Sequence, residues 1–315
     1  MKSYEDKLES FKNKLLEIYN SDFEKVFATH SINRTKTFRI NTLIDANKAR
    51  PIEMLKLEGI EFNQTEIDNF YLVSKESIPL SRTEAFNKHL IYIQEVSSAL
   101  PVIELNPEPN EKILDMCASP GSKTSLIQAL TNNQSFVTAV EKNRNRFFKL
   151  KENLNENGVM NVNVFNADAN RLVFIKPEYN NYFDKVLVDV PCTTESKINF
   201  NDTDALKEWK LSNAKDISKL QKGLLNSAFK MLKKNGTLIY STCTYSVEEN
   251  EEVVNWFLKK NSNAKLMDIN LNLPSLQPGR IEYRNKKFSN DLLKTVRVLP
   301  TEEFTAFYVA KIVKL

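Results

Sequence analysis

Residues 112–125, KILDMCASPGSKTS, join a short apolar run to a polar loop that ends in Gly-Ser-Lys-Thr. This ending is similar to a phosphate-binding P-loop, which requires a glycine, four residues and then Gly-Lys-Ser/Thr. Here Ser122 separates Gly121 from Lys123, and no glycine stands at the upstream position. The dinucleotide fingerprint Gly-x-Gly-x-x-Gly is absent as well. The segment therefore predicts a strand, a loop and a helix, with a loop that binds a ligand other than a phosphate chain.

Apolar runs recur beyond this segment, with stretches of helical periodicity between them. Buried strands that alternate with helices indicate βαβ units and a parallel sheet covered on both faces. A last run, 304–313, predicts a further strand, with antiparallel pairing as one option. We predict an α/β fold with an open, doubly wound, mostly parallel Rossmann-like sheet. The predicted strands are 112–116, 135–141, 162–168, 182–190 and 237–243, and the predicted helices are 122–132, 144–157 and 212–234.

The first third of the chain has a different pattern. It predicts an amphipathic helix in residues 1–20, a strand at 37–44, a helix at 52–60, and a strand followed by a helix over 89–105. We therefore predict a small α+β domain at 1–105 and a catalytic domain at 106–315.

Composition limits the kind of protein. The net charge of +4 permits a polyanionic partner without requiring one. The first ten residues are charged throughout, and no apolar run approaches the roughly 20 residues of a membrane span. We expect a cytoplasmic monomer without a membrane partner. Three separated cysteines and two histidines argue against a disulfide framework and against a metal site.

Polar residues lie where the predicted parallel strands end. In an open α/β sheet ligands bind outside the carboxyl ends of the strands, so these residues should converge on one edge. An acid at the end of the second strand, here Glu141, is the usual partner of a ribose diol in such folds. The residues at the strand ends are Asp115, Cys117, Glu141, Asp168, Asp189, Cys192 and Cys243.

The expected ligand has hydroxyl groups and a positive centre, because carboxylates converge where a phosphate would be repelled. S-adenosylmethionine carries a ribose, an adenine, an ammonium and a sulfonium, and no phosphate. Asp168 could face the adenine amino group, with capping of the following turn as the alternative role. Asp189 would lie near the methionine end or near a target base, and Pro120-Gly121 would let the backbone approach the cofactor.

Cys192 and Cys243 lie in the most informative segments, DVPCTTES (189–196) and STCTYSVEENEE (241–252). They would be close in space if the fourth and fifth strands are neighbours. A lone cysteine is usually a small buried hydrophobic residue, but two at a ligand edge indicate chemistry. Addition of a thiolate to C6 of cytosine gives C5 the enamine character needed to attack a sulfonium methyl group. A second group near C5 would then help to remove its proton.

The motifs DMCASPGSKT, DVPC and STCTYSVEENE resemble those of the Sun-type RNA 5-methylcytosine methyltransferases, as does the upstream run from FRINTL (38–43). The resemblance covers roughly residue 37 to the C-terminus. It implies a seven-stranded methyltransferase sheet and methylation of cytosine C5 in tRNA or rRNA through a covalent cysteine–C6 adduct. It implies Cys243 as the nucleophile, Cys192 as the residue that assists product release, and Asp189 beside them. Cofactor contacts are implied for Cys117, Ala118, Ser119, Pro120, Gly121, Ser122, Lys123, Glu141, Arg146, Asp168 and Asp189.

The N-terminal part resembles the small RNA-binding domain of this family. Its candidate contacts to phosphate or base are Arg39, Asn41, Arg82 and Lys88.

The chain departs from the family pattern in two loops. The family's cofactor loop usually reads Ala-Pro-Gly-Gly-Lys, whereas this chain has Ser119 and Ser122. After Pro-Cys the family typically has Ser-Gly and another glycine, whereas here the run 193–196 is Thr-Thr-Glu-Ser. Losing those glycines should stiffen the loop that carries Cys192.

Two other functions are compatible with the fold. One is a methyltransferase with another target, such as DNA cytosine, whose enzymes typically take the nucleophile from the Pro-Cys motif. The other is a catalytically silent RNA-binding scaffold. Cys243 argues against the first, and the intact set of Cys192, Cys243, Asp189 and Glu141 argues against the second.

Overall fold

The computed structural model describes residues 3–315, so the first two residues of the helix predicted over 1–20 lie outside it. The helices are Tyr4–Tyr19 (α1), Phe23–Ala28 (α2), Ala49–Leu57 (α3), Glu84–Asn87 (α4), Val96–Leu105 (α5), Ser122–Leu130 (α6), Arg144–Glu156 (α7), Leu172–Ile175 (α8), Asn213–Met231 (α9) and Glu251–Lys260 (α10). The strands are Thr37–Ile40 (β1), Ile60–Gln64 (β2), Phe70–Glu76 (β3), Ile91–Ile93 (β4), Lys112–Asp115 (β5), Phe136–Glu141 (β6), Val162–Asn166 (β7), Phe183–Asp189 (β8), Leu232–Thr242 (β9), Ala264–Met267 (β10), Leu276–Pro278 (β11), Glu282–Tyr283 (β12), Lys286–Lys287 (β13), Val296–Val298 (β14) and Phe307–Lys314 (β15).

A large sheet forms the centre of the molecule, in the order β11-β14-β15-β9-β8-β5-β6-β7, with β10 also paired to β15. Strands β5 to β9 run parallel, and β15 is antiparallel to β9. The prediction of an open, doubly wound, mostly parallel sheet is confirmed. The strand order reverses beside β5, between β6 and β8, and this reversal opens a crevice at the carboxyl ends of the strands.

The sheet has nine strands, two more than predicted. Seven of them, β7-β6-β5-β8-β9-β15-β10, make up the expected sheet. The short strands β14 and β11 extend the same edge, because β14 pairs with the start of β15 and β10 pairs with its end. Strands of three residues are too short to show a sequence period, so the pattern did not predict them.

Helices cover both faces of this sheet, which explains why its strands are continuous apolar runs. In β8, Val186 and Val188 point towards α9 and α10, whereas Leu187 points towards α5 and α6. Each such side chain contributes roughly 1.5–3 kcal/mol when it is fully buried. The sheet is therefore a rigid base for the loops at its edge.

Strand β9 begins earlier than predicted. The predicted helix covers 212–234, but in the structure α9 ends at Met231 and Leu232 already belongs to β9. Leu232 pairs with β8, the next residues bulge out of the ladder, and pairing resumes at Thr237. Asn235 adopts a positive φ of 62° within this bulge. The polar residues of a bulge inside a strand resemble those at the exposed end of a helix, so the sequence pattern did not predict this start of β9.

A second sheet, with four antiparallel strands in the order β2-β3-β1-β4, spans residues 37–93. It has its own apolar core around Phe38 and Leu55. Helix α5, which follows it in the chain, packs on the large sheet instead. The division of the chain at residues 105 and 106 stays a prediction.

The small sheet buries two of the residues predicted to contact RNA. Arg39 and Asn41 are each 1% exposed, so neither can reach RNA at the surface, and that prediction is wrong. Arg39 instead donates a hydrogen bond from Nη2 to Oγ of Ser125 at 2.7 Å and so links β1 to α6. Arg82 and Lys88 are exposed and remain candidates.

His30 lies in a turn after α2 and is completely buried among aromatic rings, including those of Phe11, Phe200 and Tyr245. Its Nδ1 atom lies 2.7 Å from the carbonyl oxygen of Ile198, and because a carbonyl only accepts, Nδ1 carries the proton. Burial is the main cause that lowers the pKa of His30 from 6.5 to about 4.

We expect the neutral His30 to make folding sensitive to mild acid. Its pKa is lower in the folded than in the unfolded chain, so this contribution is complete above pH 6.5 and is lost as the pH falls towards 4. The loss should be about 3 kcal/mol, measured by urea unfolding across that range. In the variant His30→Asn, which keeps a donor for Ile198 and does not titrate, the slope over that range should be much smaller. His89→Asn is the matched control and should keep the parent's slope; equal slopes in both variants would contradict the assignment.

Candidate active site

A cleft lies at the carboxyl edge of the large sheet, between β5, β6, β8 and helix α9. Six of the predicted cofactor residues line it: Cys117, Ser119, Glu141, Arg146, Asp168 and Asp189. Sequence reasoning missed the apolar wall of the cleft, since periodicity predicted α9 but not which of its faces meets the sheet. That wall includes Pro191, Leu220 and Leu224.

Glu141 ends β6 and is almost completely buried. Its Oε1 accepts a hydrogen bond from the backbone N–H of Asn143 at 2.7 Å, and its Oε2 lies 3.5 Å from Nη2 of Arg146. Arg146 also donates to the carbonyl oxygen of Ser119 at 2.7 Å, and Oγ of Ser119 donates back to the Arg146 carbonyl. Arg146 therefore ties the loop that precedes α6 to the first turn of α7.

The rest of the predicted cofactor loop does not line the cleft. Ala118 packs beneath the loop against Leu150 and Leu154. Gly121 has a φ of 110° at the start of α6, a conformation that favours glycine, and a Cβ there would lie 3.2 Å from both leucines. Cofactor contacts stay predictions for these two residues and for Pro120, Ser122 and Lys123.

Asp189, the last residue of β8, joins the start of α6 to the neighbouring strand β9. Its Oδ2 is 2.7 Å from Nζ of Lys123, and its Oδ1 accepts a hydrogen bond from Oγ of Ser241 at 2.8 Å. Burial by itself would lower the pKa of Lys123, but the carboxylate of Asp189 outweighs burial and raises it. Lys123 is therefore a fixed cation that holds the loop, and it is not free to bind a phosphate.

Two other carboxyl groups at this edge have local partners. Asp168 accepts a hydrogen bond from the backbone N–H of Asn170 at 3.0 Å and pairs with Nζ of Lys142 at 2.8 Å. It therefore caps a turn, the alternative role that the sequence left open, and also lines the cleft. Asp115 lies beneath the cleft, where it accepts from Oγ1 of Thr124, and burial raises its pKa to about 6.

The two predicted catalytic cysteines meet. The Sγ atoms of Cys192 and Cys243 are 3.3 Å apart, at the ends of the neighbouring strands β8 and β9. The hydrogen bond with Cys243, followed by burial, raises the pKa of Cys192 well above its ordinary value. Cys192 is therefore a thiol that can donate its hydrogen bond to the sulfur of Cys243.

Residues that the sequence did not single out hold the segment after Cys192. Glu195 is buried and lies 2.6 Å from Nζ of Lys14, a buried lysine of α1. Lys14 also donates to Oγ of Ser246, in the segment after Cys243. Helix α1, whose apolar side packs against Trp209 and Tyr245, thus anchors both cysteine segments. No local pattern connects a lysine at position 14 to a loop at position 195.

The missing glycines have a structural consequence at Thr194. This residue adopts a left-handed conformation with φ 50° and ψ 31°, although it is β-branched. Such a conformation costs a β-branched residue on the order of 1–3 kcal/mol. The loop therefore reaches a glycine-like shape without glycine, and the hydrogen bonds of the residues around Thr194 offset the strain.

The variant Thr194→Gly should be more stable than the parent by about 1 kcal/mol, because relief of strain exceeds the added freedom of the unfolded chain. Thr194 is exposed, so the change removes no buried contact. Urea unfolding at neutral pH measures the difference. Thr203, an exposed threonine without a positive φ, is the matched control. Thr203→Gly should lose stability, and a loss of similar size at Thr194 would contradict the strain argument.

Two general features of residues 3–315 bear on partners. No helix in this range is long and apolar enough to cross a membrane. The same residues contain no group of three or more histidine, cysteine or acidic side chains arranged to hold a metal ion.

The sheet, with its antiparallel last strand and its cleft beside paired sulfurs, is that of a Rossmann-like methyltransferase. Residues 102–313 match the family described as 16S rRNA methyltransferase RsmB/F, and the chain belongs to that family. This membership confirms the resemblance read from the motifs.

Relatives match the chain to different extents. It is 36% identical over 317 residues to the tRNA (cytosine(49)-C(5))-methyltransferase of Pyrococcus abyssi, covering 99% of each chain. It is 38% identical over 240 residues to ribosomal RNA small subunit methyltransferase F of Aeromonas salmonicida, covering 74% of this chain and 49% of that protein. The chain thus spans about half the length of this rRNA relative.

Solved structures share the whole fold. The crystal structure of a methyltransferase homolog protein from Pyrococcus horikoshii superposes with a TM-score of 0.85 at 28% identity, covering 98% of each chain. The structure of NSun6 from Pyrococcus horikoshii with SFG has a TM-score of 0.78 at 22% identity, covering 96% of this chain and 97% of that one. At that identity the second likeness concerns the fold alone.

Proposed function

We propose that this methyltransferase uses S-adenosylmethionine to methylate C5 of cytosine in RNA, with Cys243 as the nucleophile and Cys192 as the residue that assists release. The observation that carries the proposal is the pair of sulfurs, 3.3 Å apart, at the edge of a cleft lined by carboxylates. Two sulfurs at that separation can both reach one pyrimidine ring. The named relatives act on tRNA or rRNA, which favours RNA over DNA.

The cleft has the chemistry that S-adenosylmethionine requires. When bound, this cofactor supplies an electrophilic methyl group on a sulfonium. The carboxylate of Glu141 ends the second strand, where ribose hydroxyls are bound in such folds. Leu220, Leu224 and Pro191 form an apolar wall suited to a flat base. Asp168 and Asp189 bring further carboxylate oxygens to the same cleft, each paired with a lysine of the protein.

The proton held by Cys192 supports the proposal that Cys243 is the nucleophile and Cys192 assists release. Cys192 keeps its proton, and its S–H group can stabilise negative charge on the sulfur of Cys243. After its own proton has passed to solvent, Cys243 adds as a thiolate to C6 of the cytosine, and the electron pair of the C5–C6 double bond moves towards C5. C5 becomes the atom that accepts the methyl group.

The same pair explains how release can follow attack. The strongest cause that raises the pKa of Cys192 is its hydrogen bond with Cys243. Once the Cys243 sulfur is bonded to C6, it carries no negative charge, so this cause weakens and the pKa of Cys192 falls. Cys192 then gives its proton to solvent more readily, and the resulting thiolate can accept the proton from C5. The C5–C6 double bond re-forms as the C6–sulfur bond breaks.

The target cytosine must leave any base stack before C6 can be reached, so an unpaired nucleotide or a loop is the expected substrate. A relative that matches along the whole chain is named as a tRNA enzyme, so tRNA is the first substrate to test. Exposed Arg82 and Lys88 on the small N-terminal domain are candidate phosphate contacts. A cytoplasmic location and a monomeric state complete the proposal.

The test is methyl transfer from labelled S-adenosylmethionine to transcribed tRNA and to transcribed small-subunit rRNA, followed by bisulfite sequencing. We expect label in RNA and protection of a single cytosine in one of the two. Label in DNA but not in RNA would contradict the proposal. So would label at a position other than cytosine C5.

A further inference from the structure

A row of hydrogen-bonded oxygens runs beside the cysteine pair. The residues that follow the two cysteines are Thr193 and Thr244, and their hydroxyl oxygens are 2.8 Å apart. Oγ1 of Thr193 is also 2.5 Å from Oε1 of Glu249, and Oγ1 of Thr244 is 2.9 Å from Oε2 of Glu195. Four side chains therefore make three consecutive oxygen–oxygen contacts, with a carboxyl group at each end.

These contacts need more protons than the two hydroxyl groups supply. A hydroxyl carries one proton, and an ionised carboxylate carries none. Three contacts require three protons, so two ionised carboxylates would leave one contact in which lone pairs face each other. Such a contact between two oxygens is repulsive. One of the two carboxyl groups must supply the third proton.

Glu195 is not that group. Its Oε1 lies 2.6 Å from Nζ of Lys14 and accepts a hydrogen bond from Nε1 of Trp209 at 2.8 Å. Burial by itself would raise the pKa of Glu195, but the charge and hydrogen bond of Lys14, together with the hydrogen bonds from Trp209 and Thr244, lower it. Glu195 is therefore ionised and accepts the hydrogen bond from Thr244.

Glu249 has the opposite surroundings. It is completely buried, and Oε2 accepts only neutral donors, the backbone N–H of Thr193 and Nε2 of Gln221, both at 3.0 Å. Among residues 3–315, no lysine, arginine or histidine forms an ion pair with it. Burial, joined by the charge of Glu195, raises the pKa of Glu249 more than the hydrogen bonds from Thr193 and Gln221 lower it.

The other titratable neighbours of Glu249 also disfavour a charge. The thiol of Cys192 lies on the loop that Glu249 holds, and negative charge on either group raises the other's pKa. From β9, the phenol of Tyr240 donates to the carbonyl oxygen of Glu249 at 2.6 Å, and burial raises its pKa too. Every titratable side chain named around Glu249 is thus neutral or negative.

We propose that Glu249 is a protonated carboxylic acid at neutral pH and acts as a positioning residue, whose proton completes the row Glu249–Thr193–Thr244–Glu195. The carboxylic acid donates to Thr193, Thr193 donates to Thr244, and Thr244 donates to Glu195. This direction satisfies every contact in the row. It fastens the residue after Cys192 to the residue after Cys243 and so maintains the distance between the two sulfurs.

Protonation can be measured without any assay of activity. Infrared difference spectroscopy at pH 7 between the parent and Glu249→Gln should show loss of the C=O stretch of a protonated carboxyl group. Glu251, equally buried but paired with Arg297 at 2.5 Å, is the matched control. Glu251→Gln should show loss of a carboxylate band instead. A carboxylate band lost in both variants would overturn the proposal.

The melting temperature should distinguish the variants Glu249→Gln and Glu251→Gln in the same way. Glutamine at 249 offers an N–H to Thr193 and a carbonyl to the other donors, so the melting temperature should change by only a few degrees, about 3 °C or less. Glu251→Gln leaves Arg297 buried without its partner and should lower the melting temperature by on the order of 10 °C. An equally large loss in Glu249→Gln would show that the ionised form is required and would overturn the proposal.

The consequence for catalysis rests on the proposed function and has its own readout. Glu249→Gln should keep turnover within about threefold of the parent. Glu249→Ala should lower turnover at least about tenfold at unchanged affinity for S-adenosylmethionine, because only the sulfur alignment is disturbed. Equal impairment of both variants would overturn the positioning role. If the parent transfers no methyl group, the infrared and melting results still decide the protonation state, so failure of the proposed function is recognised separately.

Discussion

The variant Cys243→Ala is expected to lose methyl transfer by at least roughly a thousandfold, because it lacks the sulfur that we propose adds to C6 and so activates C5. Cys243 does not line the cleft. The affinity for S-adenosylmethionine should therefore stay within about twofold of the parent. Initial rates with labelled cofactor measure the first quantity, and titration calorimetry measures the second.

The matched variant for this experiment is Cys243→Ser. It keeps a hydrogen-bond partner for Cys192 but provides an oxygen, a far weaker nucleophile at neutral pH, and should be as inactive as the alanine variant. Melting temperatures of both variants confirm folding. Retained turnover in Cys243→Ala would assign the attack to a different group.

Cys192→Ala is expected to trap a covalent complex between protein and RNA. Attack by Cys243 remains possible in this variant, but the group that accepts the C5 proton is gone, so the adduct accumulates. After one incubation with RNA and S-adenosylmethionine, a denaturing gel should show a slowly migrating species that contains both components. Multiple turnover should fall at least about a hundredfold, while a first methyl transfer is still detected.

The double variant Cys192→Ala/Cys243→Ala is the control for that gel. It lacks the attacking sulfur and should give no adduct, so any band that remains would come from a different reaction. If Cys192→Ala turns over normally and leaves the gel clean, Cys192 has no part in release.

The sheet could be predicted from the sequence because its strands are buried on both faces. In a protein of this size, continuous apolar runs such as those around Val186 and Ile239 have few positions other than strands that are buried on both faces. The carboxyl-edge rule predicts that Glu141, Asp189 and the two cysteines lie together, and the structure brings them to one edge. These were inferences from topology, which does not depend on the precise ends of the strands.

Side-chain direction could not be predicted in the same way. Arg39 was a candidate contact to RNA, yet it is buried beside Ser125. Lys123, whose contact with the cofactor stays a prediction, is paired with Asp189. In both cases a long-range partner decides where a cation lies, and local sequence carries no information about such a partner. Glu249 was within a quoted motif, but only its contacts give it a role.

The ion pair between Lys14 and Glu195 has a consequence for synthesis of the protein on the ribosome. The two residues are separated by 181 positions, and Ser246, which Lys14 also contacts, lies 232 positions away from it. A nascent chain displays the lysine long before the carboxylate exists, so the two cysteine segments can be locked only after most of the polypeptide has emerged. An unfinished chain consequently has no aligned pair of sulfurs with which to capture a nucleic acid.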